Sequence, residues 1–131
     1  EGDLGAGKTT FVRYLGEGLK AKQPITSPTF TLIQNYDAKI PIVHIDLYRI
    51  EKEIDIYFLD ITEILDKEDH LVCIEWAERL GKYIPKDYML ITLSYPKIIE
   101  NNESERELEV GVIGTKYQSV FQKIKTKLKV K

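Results

Sequence analysis

Glu1-Gly2-Asp3-Leu4-Gly5-Ala6-Gly7-Lys8-Thr9-Thr10 carries the pattern Gly-x4-Gly-Lys-[Ser/Thr], filled at Gly2, Gly7, Lys8 and Thr9. Glycines let a backbone turn so that successive N–H groups face one concavity, and such a concavity takes an anion. A helix starting directly after the loop adds its partly positive N-terminus. In this pattern the lysine reaches β- and γ-phosphates and the hydroxyl residue ligates Mg²⁺. At average glycine usage, a chance match in a chain of this size has a frequency of about half a percent. The stretch predicts a nucleoside triphosphate site, and with it an α/β domain.

A loop of this kind joins a buried strand to a helix. The strand that would feed it does not precede Gly2 here. We read this as a native chain extending upstream, because a sheet without its central strand leaves neighbouring edges unpaired. Downstream, Lys8 to about Lys20 has helical spacing, with Phe11, Val12, Leu15 and Leu19 on one face. Gln23 to Phe30 is a loop punctuated by Pro24 and Pro28. Thr31–Tyr36 and Ile42–Ile45 read as strands of a hairpin turning at Asp37-Ala38-Lys39. Glu51 to about Lys67 reads as one helix, with Ile54, Phe58, Ile61 and Leu65 on a face. His70–Trp76 is a buried strand, and Tyr88–Tyr95 and Arg106–Ile113 are two more, separated by the polar loop Pro96–Ser104. Lys116–Lys131 closes as a helix with Tyr117, Val120, Phe121, Ile124 and Leu128 inward. The expected architecture is a P-loop NTPase-like mixed sheet flanked by helices.

The 131 residues, 15.2 kDa, suit a single domain over 1–131. Hydrophobic residues make up 43% and charged residues 31%, so the chain can bury a core. Nineteen basic against twenty-one acidic residues leave a net charge of −2, which excludes a wholesale polycation on nucleic acid. The single cysteine, Cys73, excludes an internal disulfide framework and reads as a small buried hydrophobe. No apolar run is long enough to span a bilayer, and no signal peptide is visible, so the expected setting is the cytoplasm.

A P-loop needs an acidic partner at the end of a buried strand. Glu75 follows Leu71-Val72-Cys73-Ile74, and Asp46 follows Ile42-Val43-His44-Ile45. An exposed strand-end acid would explain Glu75 without catalysis, and a helix N-cap or a salt bridge to Arg49 would explain Asp46. Alternation places Trp76, the only tryptophan, on the side opposite Glu75, either in the core or covering the nucleotide site. Thr26-Ser27-Pro28-Thr29-Phe30 stands where nucleotide hydrolases carry a γ-phosphate-sensing switch, although an ordinary polar turn fits it too.

The loop, Thr26–Phe30, His44-Ile45-Asp46-Leu47-Tyr48-Arg49 and Ile74-Glu75-Trp76-Ala77-Glu78-Arg79 follow one another in an order that resembles the bacterial TsaE (YjeE) family of P-loop ATPases. The resemblance runs from Glu1 to about Arg106. It implies an ATPase needed for threonylcarbamoyladenosine in tRNA, working with TsaD and TsaB and meeting tRNA through that complex, with no membrane. By matching motif, Gly5, Ala6, Gly7, Lys8, Thr9 and Thr10 would bind ATP, and Thr9 and Glu75 would hold Mg²⁺. Lys8, Asp46 and Glu75 would be catalytic, Thr26 to Thr29 the switch, and Trp76 and Arg106 neighbours of the nucleotide.

Lys116, Lys123, Lys125, Lys127, Lys129 and Lys131 crowd the last helix and read chiefly as a solvated face, with contact to tRNA phosphates or an acidic partner surface as the alternative. His44 and His70 lack zinc-ligand spacing. Among other P-loop functions, a small-molecule kinase is the alternative, against which stands the small arginine complement of Arg13, Arg49, Arg79 and Arg106. A signalling GTPase lacks its Asn-Lys-x-Asp motif. A module that binds ATP only to dock partners would tolerate loss of Glu75.

Overall fold

The computed structural model describes residues 1–28, 30–96 and 105–128, apart from the side chains of residues 53 and 58. Thr29, the Phe58 side chain, most of the loop expected over 96–104, and Lys129 and Lys131 therefore lie outside the described residues. The chain forms two compact units, one of residues 7–84 and one of residues 1–6 with 85–131.

The first unit opens with α1 (Lys8–Gly18), followed by β1 (Ile33–Tyr36) and β2 (Ile42–Asp46). Next come α2 (Glu53–Phe58), α3 (Ile61–Asp66), β3 (Leu71–Glu75) and a 3₁₀ segment at Ala77–Tyr83. Its sheet is mixed, in the order β1-β2-β3. The expected hairpin pairs β1 with β2 antiparallel, from Ile33 opposite Ile45 to Tyr36 opposite Ile42. β2 and β3 run parallel, so His44 stands level with Cys73 and Asp46 with Glu75.

Alternation then sorts the side chains. Val43, Ile45 and Leu47 join Ile50, Ile56, Ile61 and Leu80 in one core. Ile42 joins Val12, Ile25 and Tyr36 in the other, with Cys73 packed against it. His44 and Asp46 keep step with Ile42, which puts them on the α1 side of the sheet. Each fully buried aliphatic residue contributes about 1.5–3 kcal/mol. Burial pushes the Cys73 thiol up to about 12, helped by the Glu75 charge, which leaves it inert as a nucleophile.

The expected single helix over 51–67 is two. Asp60 adopts a left-handed conformation with φ of 53° between α2 and α3. Asp tolerates this region better than most residues, and the turn resets the helical phase. Ile56, Ile61, Leu59, Ile64 and Leu65 therefore face the core while Ile54 stays 51% exposed. β1 starts at Ile33 rather than Thr31 because Leu32 has φ of 60° and donates its N–H to Pro28 O.

The second unit contains β4 (Tyr88–Ser94), β5 (Glu107–Ile113) and α4 (Gln118–Leu128). β4 and β5 pair antiparallel from Tyr88 opposite Ile113 to Ser94 opposite Glu107. Glu1 bonds to β4 on both sides of Thr92, its N to Ile91 O and its O to Leu93 N. That is the hydrogen-bond pattern of a parallel neighbour strand. On α4 only the stripe Tyr117, Phe121 and Ile124 is half-buried, while Val120 and Leu128 are exposed. A two-stranded sheet gives a helix one such stripe of contact, which corrects the wider inward face expected from spacing. Lys123, Lys125 and Lys127 are exposed, as a solvated face requires.

Gly2 shows why the loop starts with glycine. Its φ is 141°, and a Cβ there would stand 2.4 Å from Leu93 O in the backbone of β4. Gly2→Ala combines an overpacked contact with a disfavoured dihedral and should lower unfolding free energy by about 2–4 kcal/mol. Urea unfolding measures this as a lower midpoint at unchanged slope.

Candidate nucleotide site

Loop residues Gly5 and Gly7 have φ of 80° and 103°, a region closed to most L-residues. At Gly7 a Cβ would meet nothing within 4 Å, so the backbone faces open space at the N-cap of α1. No side chain caps α1 and no acid lies in its first turn. The helix entrance thus carries its partial positive charge with no acid of its own first turn beside it.

In the unit of residues 1–6 and 85–131, two side chains fasten the beginning of the loop. Tyr95 donates its hydroxyl to Gly5 O at 3.2 Å, and Arg106 donates Nε to Ala6 O at 3.3 Å. The Arg106 guanidinium lies 4.2 Å from the Tyr95 ring centroid, a cation–π pair that orients both. Arg106 therefore meets the loop at Ala6. Tyr95 did not stand out in the sequence, where it is only the last residue of the strand expected over Tyr88–Tyr95.

In the unit of residues 7–84, the chemistry gathers at the C-terminal ends of β2 and β3. Thr9 Oγ1 donates to Glu75 Oε1 at 2.7 Å. His44 Nε2 lies 2.8 Å from the same oxygen. Glu75 is 5% exposed and His44 0%, so these are buried hydrogen bonds to a carboxylate, worth roughly 1.5–3 kcal/mol each. Burial by itself pushes the Glu75 carboxyl up. The bonds from His44 and Thr9, with the nearby Lys8 charge, outweigh it and hold the group below the usual glutamate range.

Lys8 is 8% exposed, with Nζ 4.3 Å from the centre of the Trp76 ring. Trp76 has φ of 60°, so the chain turns sharply out of β3. Its body packs on the core containing Ile45 and Leu47, while the Tyr48 ring lies against it, tilted by 51° with centroids 5.1 Å apart. One part of this tryptophan lines the core, and a face of its ring meets Lys8. Arg79 Nη1 donates to Ile50 O at 2.6 Å, fixing the segment after β2 to the segment after β3.

The remaining candidates make other bonds. Asp46 is level with Glu75, but its carboxylate accepts the N–H of Tyr48 at 2.9 Å and closes a local turn. Neither the helix cap nor a pair with Arg49 occurs. Thr26 is exposed and bonds through its backbone N–H to Tyr36 Oη at 3.2 Å, not to Lys8, Thr9 or Glu75. Thr10 is exposed on α1.

The donor set fits Mg²⁺ and a triphosphate. A hydroxyl that donates its hydrogen to Glu75 keeps its oxygen lone pairs for a hard cation, and the carboxylate keeps its second oxygen. Mg²⁺ takes one or two such protein oxygens together with phosphates and waters. No helix among the described residues is long and apolar enough to cross a membrane.

Residues 1–107 match the family described as Threonylcarbamoyl adenosine biosynthesis protein TsaE. The chain is 44% identical over 117 residues to the tRNA threonylcarbamoyladenosine biosynthesis protein TsaE of Nostoc sp. (strain PCC 7120), covering 84% of this chain and 66% of that relative. It is 35% identical over 126 residues to the protein of the same name from Bacillus subtilis (strain 168), covering 95% of this chain and 74% of that relative. The crystal structure of Bacillus subtilis YdiB superposes with a TM-score of 0.67 at 30% identity, covering 95% of this chain and 73% of that one. The mixed α/β architecture is therefore the fold of that structure. With its phosphate loop, its bonded Thr9–Glu75 pair and its matching relatives, the chain belongs to the TsaE family of threonylcarbamoyladenosine biosynthesis proteins.

Proposed function

We propose that this chain binds ATP along Gly5–Thr10 and hydrolyses it with Mg²⁺ during the biosynthesis of threonylcarbamoyladenosine in tRNA. The observation that carries the reading is the Thr9–Glu75 hydrogen bond of 2.7 Å. It joins the hydroxyl that follows the P-loop lysine to the acid at the end of the buried strand.

In this reading the loop N–H groups and the α1 N-terminus bind the phosphates. Lys8 places its ammonium on the β- and γ-phosphates, with Trp76 at its back. Thr9 and Glu75 hold Mg²⁺, which when bound neutralises charge on the phosphates. Asp46, anchored by Tyr48 N–H, orients the attacking water. Thr26 and Thr29 form the segment that senses the γ-phosphate, and Arg106 braces the loop it touches. The activity serves a complex of TsaD and TsaB in the cytoplasm, with tRNA met through that complex.

The test is phosphate release from Mg-ATP by the full chain, with and without TsaD and TsaB. Low basal release that rises with the pair supports the reading. Phosphate appearing on a small acceptor instead, with no response to the pair, would transfer the assignment to a kinase.

A further inference from the structure

The geometry points to His44 as a positioning residue that holds the Glu75 carboxylate in the orientation Thr9 requires. The inference rests on the ATPase reading above and names a residue of that site which the phosphate-loop pattern does not contain.

Four observations carry it. His44 is a fully buried polar side chain in the run Ile42-Val43-His44-Ile45, where its neighbours are buried aliphatics. Its Nε2 meets Glu75 Oε1 at 2.8 Å, and its Nδ1 has no hydrogen-bond partner among the described residues. An imidazole placed only to fill space would be better replaced by an aliphatic residue, because the lone nitrogen stays desolvated and unpaired. What distinguishes the imidazole is its one bond to Glu75.

That bond falls on the oxygen which Thr9 also uses. Two donors from different elements, one on β2 and one on α1, converge on Oε1 and fix both the torsion and the tilt of the carboxylate. Oε2 is engaged by neither. With Oε1 held, Thr9 has a defined acceptor for its hydrogen, and its lone pairs are directed elsewhere. The register explains why His44 can do this. It lies on the same face as Asp46, two residues earlier, and β2 is bonded to β3 in parallel, so a side chain level with Cys73 reaches the Glu75 carboxylate from below. This is the arrangement in which a second residue orients a metal-holding group, and loss of such a partner costs about 10–100-fold in metal affinity or activity.

The experiment compares His44→Phe and His44→Leu, which remove the donor, with His44→Gln, whose amide nitrogen can reach the position of Nε2. Each is made in the full chain and checked for cooperative thermal unfolding. Two readouts are taken. One is ATP binding followed by Trp76 fluorescence, the single tryptophan, with EDTA and with a series of MgCl₂ concentrations. The other is kcat and KM for phosphate release. The expected result is unchanged metal-free ATP binding and a loss of about 10–100-fold in apparent Mg²⁺ affinity in the donor-free variants. Their kcat falls further than KM rises, and His44→Gln recovers most of both.

A donor-free variant with wild-type Mg²⁺ dependence overturns the proposal, as does a glutamine variant no better than a folded phenylalanine or leucine variant. If neither donor-free variant folds while glutamine does not restore Mg²⁺ dependence, His44 is a core residue only and the proposal fails. A wild-type chain that binds no ATP removes the ATPase reading itself, and this inference with it. That outcome is recognised before any variant is compared.

Discussion

Lys8→Ala should abolish ATP turnover while leaving the chain folded. The residue is almost wholly buried, with its Nζ 4.3 Å above the Trp76 ring. Opposing terms therefore act on stability. The substitution removes a cation–π contact worth roughly 0.5–2 kcal/mol and the attraction of the charge to Glu75, and it also removes the cost of keeping a charge out of water. They offset each other, so the unfolding midpoint should move little. Catalysis has no such compensation. The charge sits directly before Thr9 at the start of α1, where nothing else in the first turn is cationic. Losing one preorganised charge at a phosphate costs roughly 10²–10³-fold in turnover, and weaker nucleotide binding adds to it. Lys8→Arg should not rescue, because a planar fork cannot replace a compact ammonium stacked on an indole face. Steady-state phosphate release alongside a thermal melt checks both halves. Turnover within about tenfold of wild type would contradict the role given to Lys8.

The parts of this site that could be read in the sequence are those encoded by neighbours in the chain. Gly2, Gly7, Lys8 and Thr9 lie within one loop, and the helix after them follows from local spacing. Glu75 was visible because an acid at the end of an apolar run is itself a local signal. The break at Asp60 was not, since the apolar spacing of 51–67 fits one helix and only packing against Ile50 and Leu80 selects the phase of two. Nor was the bond between His44 and Glu75. They are 31 residues apart, and only the parallel register of β2 with β3 brings them together. The signal that was available is compositional: a single imidazole inside an aliphatic strand, on the same face as an acid two positions on. Asp46 is marked by the same kind of signal, an acid at the end of an apolar run, whereas its bond from Tyr48 N–H was not legible in that run.

Glu75→Gln should reduce turnover by about 10²–10³-fold while retaining metal-free ATP binding. The amide is isosteric, and its oxygen can still accept from Thr9 and His44, so the local hydrogen bonds survive and the negative charge does not. Glu75→Ala removes both and should lower stability as well, because it leaves the buried His44 Nε2 without a partner. Comparison of the two separates the charge from the scaffold. The same pair predicts a pH effect. Burial pushes the Glu75 carboxyl up, but the bonds from His44 and Thr9 prevail and its folded-state value is depressed. A depressed carboxylate contributes stability that is fully present above the unfolded value and is lost as pH falls through the folded one. Wild type should therefore exceed Glu75→Gln in stability by a constant margin at neutral pH. The margin should shrink below about pH 4.5, where the unfolded chain begins to take up the proton. Taking the difference between the two proteins cancels the other carboxylates, which are common to both. Chemical denaturation from pH 7 to pH 3 reads the margin directly. A margin that grows on acidification would mean that the Glu75 carboxyl is raised in the fold and would contradict the bonds from His44 and Thr9 prevailing over burial.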